Sequence, residues 1–105
     1  RLVEAERERV GMALMGEAVP PAQWLEQPLD HFDATNTKTY QQRYYVNDTF
    51  YQAGGKKGPV FLYIGGEGAL SAFSVVRGHM PEMAEAMGAL MLGVEHRTYG
   101  ASVIA

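Results

Sequence analysis

Two short runs of β-forming apolar residues, Val60-Phe61-Leu62-Tyr63-Ile64 and Ala89-Leu90-Met91-Leu92-Gly93-Val94, constrain this chain more than any other feature. Neither alternates polar with apolar, so each calls for cover on both faces, as in a central strand of a parallel sheet. Between them lies a stretch with helical period. Pro81 suits a first turn, Met80, Met83, Ala84 and Met87 share one face, and Glu82 and Glu85 point outward. Strand, helix, strand predicts a βαβ unit, and so an α/β class with a mostly parallel sheet.

Upstream, Thr39 to Val46 sets Tyr40, Gln42, Tyr44 and Val46 against Gln41, Arg43 and Tyr45, the alternation of a half-exposed strand. Asn47-Asp48 predicts a turn, with Thr49-Phe50-Tyr51 starting the return strand of an antiparallel hairpin. Trp24, Leu25, Pro28, Leu29 and Phe32 are bulky and irregularly spaced, which predicts an extended arm held to a sheet edge or core by its aromatics. Residues 1–23 are expected to be a helical or disordered lead-in. Arg1 to Ala18 favours helix, Gly11 and Gly16 weaken it, and Pro20-Pro21 ends it.

Several classes fall away on composition. The 105 residues leave room for one small domain or part of a larger one. Nine Lys+Arg against twelve Asp+Glu, a net charge of -3, give no basic patch for nucleic acid. No apolar run approaches the roughly 18–20 residues of a membrane span. The absence of cysteine excludes a disulfide framework, a thiolate metal site and a cysteine nucleophile within these residues. The chain opens on Arg1 and stops at Ala105 soon after a Gly100-Ala101-Ser102 turn signal, so it reads as a piece of a longer protein.

In an open α/β sheet, chemistry gathers beyond the carboxyl ends of the strands. Two loops qualify, Gly65-Gly66-Glu67-Gly68 and Glu95-His96-Arg97-Thr98-Tyr99-Gly100. A glycine-rich loop leaving a buried strand suits an oxyanion hole, a phosphate cradle or a plain tight turn. Gly66-x-Gly68-x-x-Ser71 is one residue from a dinucleotide fingerprint, with Glu95 where a ribose-binding acid would sit. Pro81, however, starts the helix well after the glycines, and the gap to Glu95 exceeds the fingerprint's roughly 20 residues.

Four ordered blocks carry a resemblance. They are Trp24-Leu25-Glu26-Gln27-Pro28-Leu29-Asp30-His31-Phe32, Gln41-Gln42-Arg43-Tyr44-Tyr45-Val46-Asn47-Asp48, Gly58 to Gly68, and Glu95 to Gly100. Together they resemble the N-terminal part of the family of serine peptidases that includes lysosomal Pro-X carboxypeptidase, dipeptidyl peptidase II and thymus-specific serine protease. The last block departs at Thr98, where the family usually has a second tyrosine. The resemblance implies that residues 24–105 open an α/β-hydrolase domain with an inserted helical cap, and that a Ser/Asp/His triad cleaves after proline near a peptide terminus. It leaves open a carboxypeptidase or a dipeptidyl peptidase. No G-x-S-x-G surrounds Ser71, Ser74 or Ser102, so the triad is expected beyond Ala105 and this segment alone is expected to be inactive. Gly65, Gly66 and Glu67 become the oxyanion-hole candidates. The implied partners are a peptide with proline near one end and the remainder of the same chain. A homodimer stays open, no cofactor is implied, and the implied compartment is lysosomal or secreted. A nucleotide-binding βαβ module and a catalytically inactive hydrolase-like interaction domain are the alternatives.

The remaining residues are read structurally or as loop braces. Charges beside buried strand ends seldom stay unpaired, so Glu67, Glu95 and Arg97 are candidates for an ion pair bracing the loops, against separate solvated charges. His79-x-x-Glu82 lacks a third ligand, and His31, His79 and His96 are assigned structural roles, so no metal site is expected. The methionines are read as core filling. Asn47-Asp48-Thr49 is a glycosylation sequon on an expected exposed turn.

Overall fold

The computed structural model describes residues 19–103; residues 1–18, most of the expected lead-in, lie outside the described residues. Four strands form one mixed sheet in the order β1-β2-β4-β3. They are β1 (Gln23–Pro28), β2 (Thr39–Asn47), β3 (Val60–Ile64) and β4 (Leu90–Val94). β3 and β4 run parallel with Leu62 opposite Leu92, while β2 is antiparallel to both β1 and β4. A 3₁₀ turn (Ala72–Val75) and helix α2 (His79–Met87) make the crossover from β3 to β4. The class is α/β, and the βαβ unit lies where the two apolar runs place it.

The core cluster lies on one face of the sheet, while Tyr40, beside Arg97, is buried on the other. Ala89, Met91, Gly93 and Glu95 share one side of β4 by strand alternation, and the paired Tyr45 and Phe61 share that side with them. Leu70, Ala72 and Val75 from the crossover and Ala84 from α2 close over it as a single cluster. Burying Val75 and Met91, both fully enclosed, contributes about 1.5–3 kcal/mol each. The opposite face of β3 is bare: Val60, Leu62 and Ile64 are exposed, Ile64 to 70 %. The expected central strand covered on both faces is thus, among the described residues, an edge strand with one hydrogen-bonded neighbour and helices on one side only.

Other expectations need correction. Thr49 to Ala53 forms a short helix, α1, instead of a return strand. Both sides of β2 are already occupied by β1 and β4, so no edge is left for a returning chain. The Asn47 carboxamide oxygen also bends the backbone locally, accepting from the Thr49 N–H at 3.1 Å and its hydroxyl at 2.7 Å. The arm does reach the sheet edge, as β1, but not by its aromatics: Phe32 is fully exposed and Trp24 half so. Its hold is the ladder from Gln23–Tyr44 to Pro28–Thr39, with a Gln27–Gln42 side-chain bond of 3.0 Å.

Helix α2 is rotated from the expected face. Pro81 and Ala84 are buried, Met80 packs partly against the core, and Met83 and Met87 stay largely exposed. A Pro81/Ala84 stripe lets the helix approach the sheet more closely than methionines would. The helix ends at Gly88, whose φ of 64° suits glycine, with the Ala89 N–H returning to Ala84 O at 3.0 Å.

The bare row on β3 sets an expectation for the isolated polypeptide of 105 residues. It should self-associate with rising concentration and bind a hydrophobic dye, without a sharp thermal transition. Sedimentation velocity and calorimetry check this, and a cooperative melt from a monomer would contradict it.

Candidate functional site

Because β3 and β4 are parallel and in register, their carboxyl ends lie side by side, and so do the loops that leave them. The Gly65 N–H donates to Val94 O at 2.8 Å. A Cβ at Gly65 would stand 3.1 Å from that oxygen, so close approach, not backbone handedness, favours glycine there. The chain turns at once, with the Gly68 N–H donating to Gly66 O at 2.9 Å. A Cβ at Gly66 would meet nothing within 4 Å; that position borders an open cavity of about 360 Å³ also lined by Tyr63, Glu67, Leu70 and Ser74. The N–H groups of Gly66 and Glu67 make no hydrogen bond among the described residues. Two adjacent donors beyond a strand's carboxyl end are thus without a partner among the described residues.

Beneath the loops lies Glu95, with no exposed surface. Oε2 accepts from Arg43 Nη2 at 2.6 Å and from the Leu70 N–H at 2.9 Å. Oε1 accepts from the N–H groups of Ala101 and Ser102, each at 3.0 Å, and from the Ser102 hydroxyl at 2.8 Å. Arg43 also donates to Leu70 O at 3.1 Å, and its backbone N–H donates to Ser102 Oγ at 2.7 Å. One carboxylate thereby joins β2, the loop after β3 and the turn after β4. Burial pushes the Glu95 carboxyl up, but the Leu70 N–H, the Arg43 guanidinium and the Ser102 hydroxyl outweigh it and hold it below its ordinary value. Gly100 is confined by the same group: its φ is 55°, and a Cβ there would overlap Glu95 Oε2.

The three charged candidates separate. The ion pair at Glu95 is with Arg43 and not with Arg97. Arg97 donates to Leu29 O at 2.6 Å and lies 4.9 Å from the centre of the Tyr40 ring, tying the β1–β2 connection to the turn after β4. Glu67 stays exposed and accepts from the Tyr99 hydroxyl at 3.3 Å. The sequence alone does not mark Arg43 or Ser102 as a partner of Glu95. The available signal was parity: Arg43 shares a strand face with the buried Tyr45, and a guanidinium on that face needs a partner.

The structure places the other candidates as follows. Asn47 is half-buried at the end of β2, not on an exposed turn, and its Nδ2 donates to Val75 O at 2.7 Å. Ser102 is fully buried and Ser71 caps the 3₁₀ turn, accepting from the Phe73 N–H at 3.1 Å. His96 Nδ1 donates to Arg97 O at 2.7 Å, and no group of three metal-ligating side chains occurs among the described residues. The glycines open no helix: α2 begins only at His79, which removes the helix N-terminus a dinucleotide fingerprint needs. Thr98, in the turn 95–102, has a φ of 73°, with its N–H donating to Ser102 O at 2.8 Å.

Comparison with known proteins decides the family. The profile of the family described as Serine carboxypeptidase S28 matches residues 27–105. The chain belongs to that family. Mouse thymus-specific serine protease is 52% identical over 86 residues, covering 82% of this chain and 16% of that protein. The human thymus-specific serine protease is 43% identical over 102 residues, 95% of this chain and 20% of that protein. Mouse lysosomal Pro-X carboxypeptidase is 38% identical over 80 residues, 76% of this chain and 16% of that protein. The chain therefore spans a fifth or less of the length of these relatives. In this S28 chain no described helix is long and apolar enough to cross a membrane.

The Arg43–Glu95 pair gives a measurable expectation. Arg43→Met leaves a buried carboxylate without its cation and should cost about 3–5 kcal/mol of stability at neutral pH. Because the folded-state pKa of Glu95 lies below the ordinary glutamate value of about 4.5, its contribution is full above that value. It is lost as pH falls through the lower folded value, so the gap between wild type and variant should narrow there. Denaturant titrations of the full-length protein from pH 7 to pH 3 check both statements.

Proposed function

We propose that the full-length protein is a serine exopeptidase acting beside proline near a peptide terminus, and that this segment supplies the opening strands of an α/β-hydrolase core and half of its oxyanion hole. The reading rests on the free Gly66 and Glu67 N–H donors beyond the carboxyl end of β3 in an S28 chain. In an α/β-hydrolase the second oxyanion donor comes from the loop after the third strand, and the first from the residue following the nucleophile. The strand order β1-β2-β4-β3, with β3 and β4 parallel, is consistent with the start of such a sheet.

The chemistry follows from what such donors do. A serine oxygen attacking a peptide carbonyl drives negative charge onto the carbonyl oxygen. Fixed N–H dipoles at that point stabilise the tetrahedral intermediate without reorganising during the reaction. The nucleophile, its general base and the orienting acid are expected in the remainder of the chain. The Glu67 carboxylate, which would oppose an oxyanion, is engaged by the Tyr99 hydroxyl. The likeness to lysosomal Pro-X carboxypeptidase supports both the preference for proline and a lysosomal or secreted compartment.

The test uses the full-length protein and short peptides bearing proline near either end, with products read by mass spectrometry. Release of a C-terminal residue or of an N-terminal dipeptide is expected. Gly66→Pro and Glu67→Pro each delete one candidate donor, and at least one should lower kcat about 100- to 1000-fold with little change in KM. Gly66→Val, placed in open space, serves as a crowding variant should proline perturb the fold. Unchanged kcat in all of these would remove the loop from the oxyanion hole, and absence of any cleavage would favour an inactive interaction domain.

A further inference from the structure

We propose that Glu95 is a positioning residue for acyl transfer, a buried carboxylate that sets where the Gly66 and Glu67 N–H donors stand. The inference rests on the oxyanion reading above and deepens it. The loop has two anchors. The first is the Gly65 N–H on Val94 O, 2.8 Å. The second is Leu70, whose N–H is held by Glu95 Oε2 at 2.9 Å and whose carbonyl oxygen is held by Arg43 at 3.1 Å. Between the anchors runs a short, glycine-rich stretch, residues 66–69, with the Gly68–Gly66 turn as its internal backbone bond. Nothing buried packs there: Gly66, Glu67, Gly68 and Ala69 are all exposed. Apart from the exposed Tyr99–Glu67 side-chain bond of 3.3 Å, the donors take their position from the anchors, and an oxyanion requires donors within about 2.7–3.1 Å.

The carboxylate is also fixed from the far side. Oε1 is held by Ala101, Ser102 and the Ser102 hydroxyl, and Gly100 allows no Cβ beside Oε2. Every donor around Glu95 aims at an oxygen, so a glutamine there has no acceptable orientation. Its NH₂ would face either Arg43 and the Leu70 N–H or the two N–H groups of the turn. In the first orientation donor meets donor at Leu70 and the loop's second anchor moves. In the second the clash falls on the turn, and Leu70 is held by a neutral carboxamide oxygen in place of the carboxylate. Every side chain lining the cavity is still present in both.

The experiment compares Glu95→Gln in the full-length enzyme with wild type, counting functional sites with a serine-directed fluorophosphonate. Per titrated site, kcat and the affinity for a peptide aldehyde, whose hemiacetal oxyanion occupies the hole, should fall together by about 10- to 100-fold. KM and the affinity for the cleavage product should stay within about 3-fold. Ser102→Ala, which removes one donor to the same carboxylate and the acceptor of the Arg43 N–H but leaves the Leu70 and Arg43 bonds to Oε2, should show a smaller loss of the same form and serves if the glutamine variant does not fold. A purely structural role predicts fewer titrated sites and a lower Tm, with kcat per site and aldehyde affinity unchanged, and that result overturns the proposal. If Gly66→Pro or Glu67→Pro is impaired while Glu95→Gln is not, the positioning role alone fails. If both proline variants are unimpaired, the oxyanion reading fails and this inference falls with it.

Discussion

A carboxylate with no exposed surface is the constraint around which the described residues are arranged. Removing such an ion from water costs several kcal/mol, and the cost is met only if its lone pairs are filled. Glu95 meets it with five donors drawn from β2, the loop after β3 and the turn after β4. Much else then follows. β2 must lie beside β4, because Arg43 reaches Glu95 only from that register, where the Glu95 N–H donates to Arg43 O at 3.0 Å. The chain at Leu70 must pass over the carboxylate, and the turn at 100–102 must present its N–H groups inward.

The parts of the fold that rest on local pattern were legible in the sequence. Two apolar runs and the intervening helical stretch define the βαβ unit, and the polar alternation from Thr39 defines β2. The parts that depend on who pairs with whom were not. Thr49 to Tyr51 carry strand-forming side chains but find no free edge, and Trp24 looks like a core anchor yet is half exposed on β1. The site divides the same way. The glycine loop announces itself through composition. The charge pair does not, since Glu95 and Arg43 are far apart in sequence and become neighbours only through the β2–β4 register. Arg97, the nearer cation in sequence, is held instead by Leu29 O.

The one-sided core and the two-loop site are consequences of the same topology. Parallel β3 and β4 bring their outgoing loops together at one end, while the single crossover covers only one face. The side with helices thus holds the rigid support, and the ends of the strands hold the free donors. Membership in the S28 family gives that arrangement a chemical context, and under the proposed oxyanion role donors fixed by the backbone need no reorganisation during the reaction.

Thr98 shows how far this support extends. A β-branched residue at a φ of 73° is in a conformation its own covalent structure disfavours, at a cost of about 1–3 kcal/mol. The turn nonetheless holds, with Thr98 bonded to Ser102 O and Ser102 locked to Glu95. Its shape is not encoded in the residues that form it. Cut free, the hexapeptide from Glu95 to Gly100 would relax to another geometry, so this stretch of the S28 chain carries only half of its own conformational instructions. The rest is written in Ser102, and in Arg43 and Leu70, which hold Glu95 from the other side.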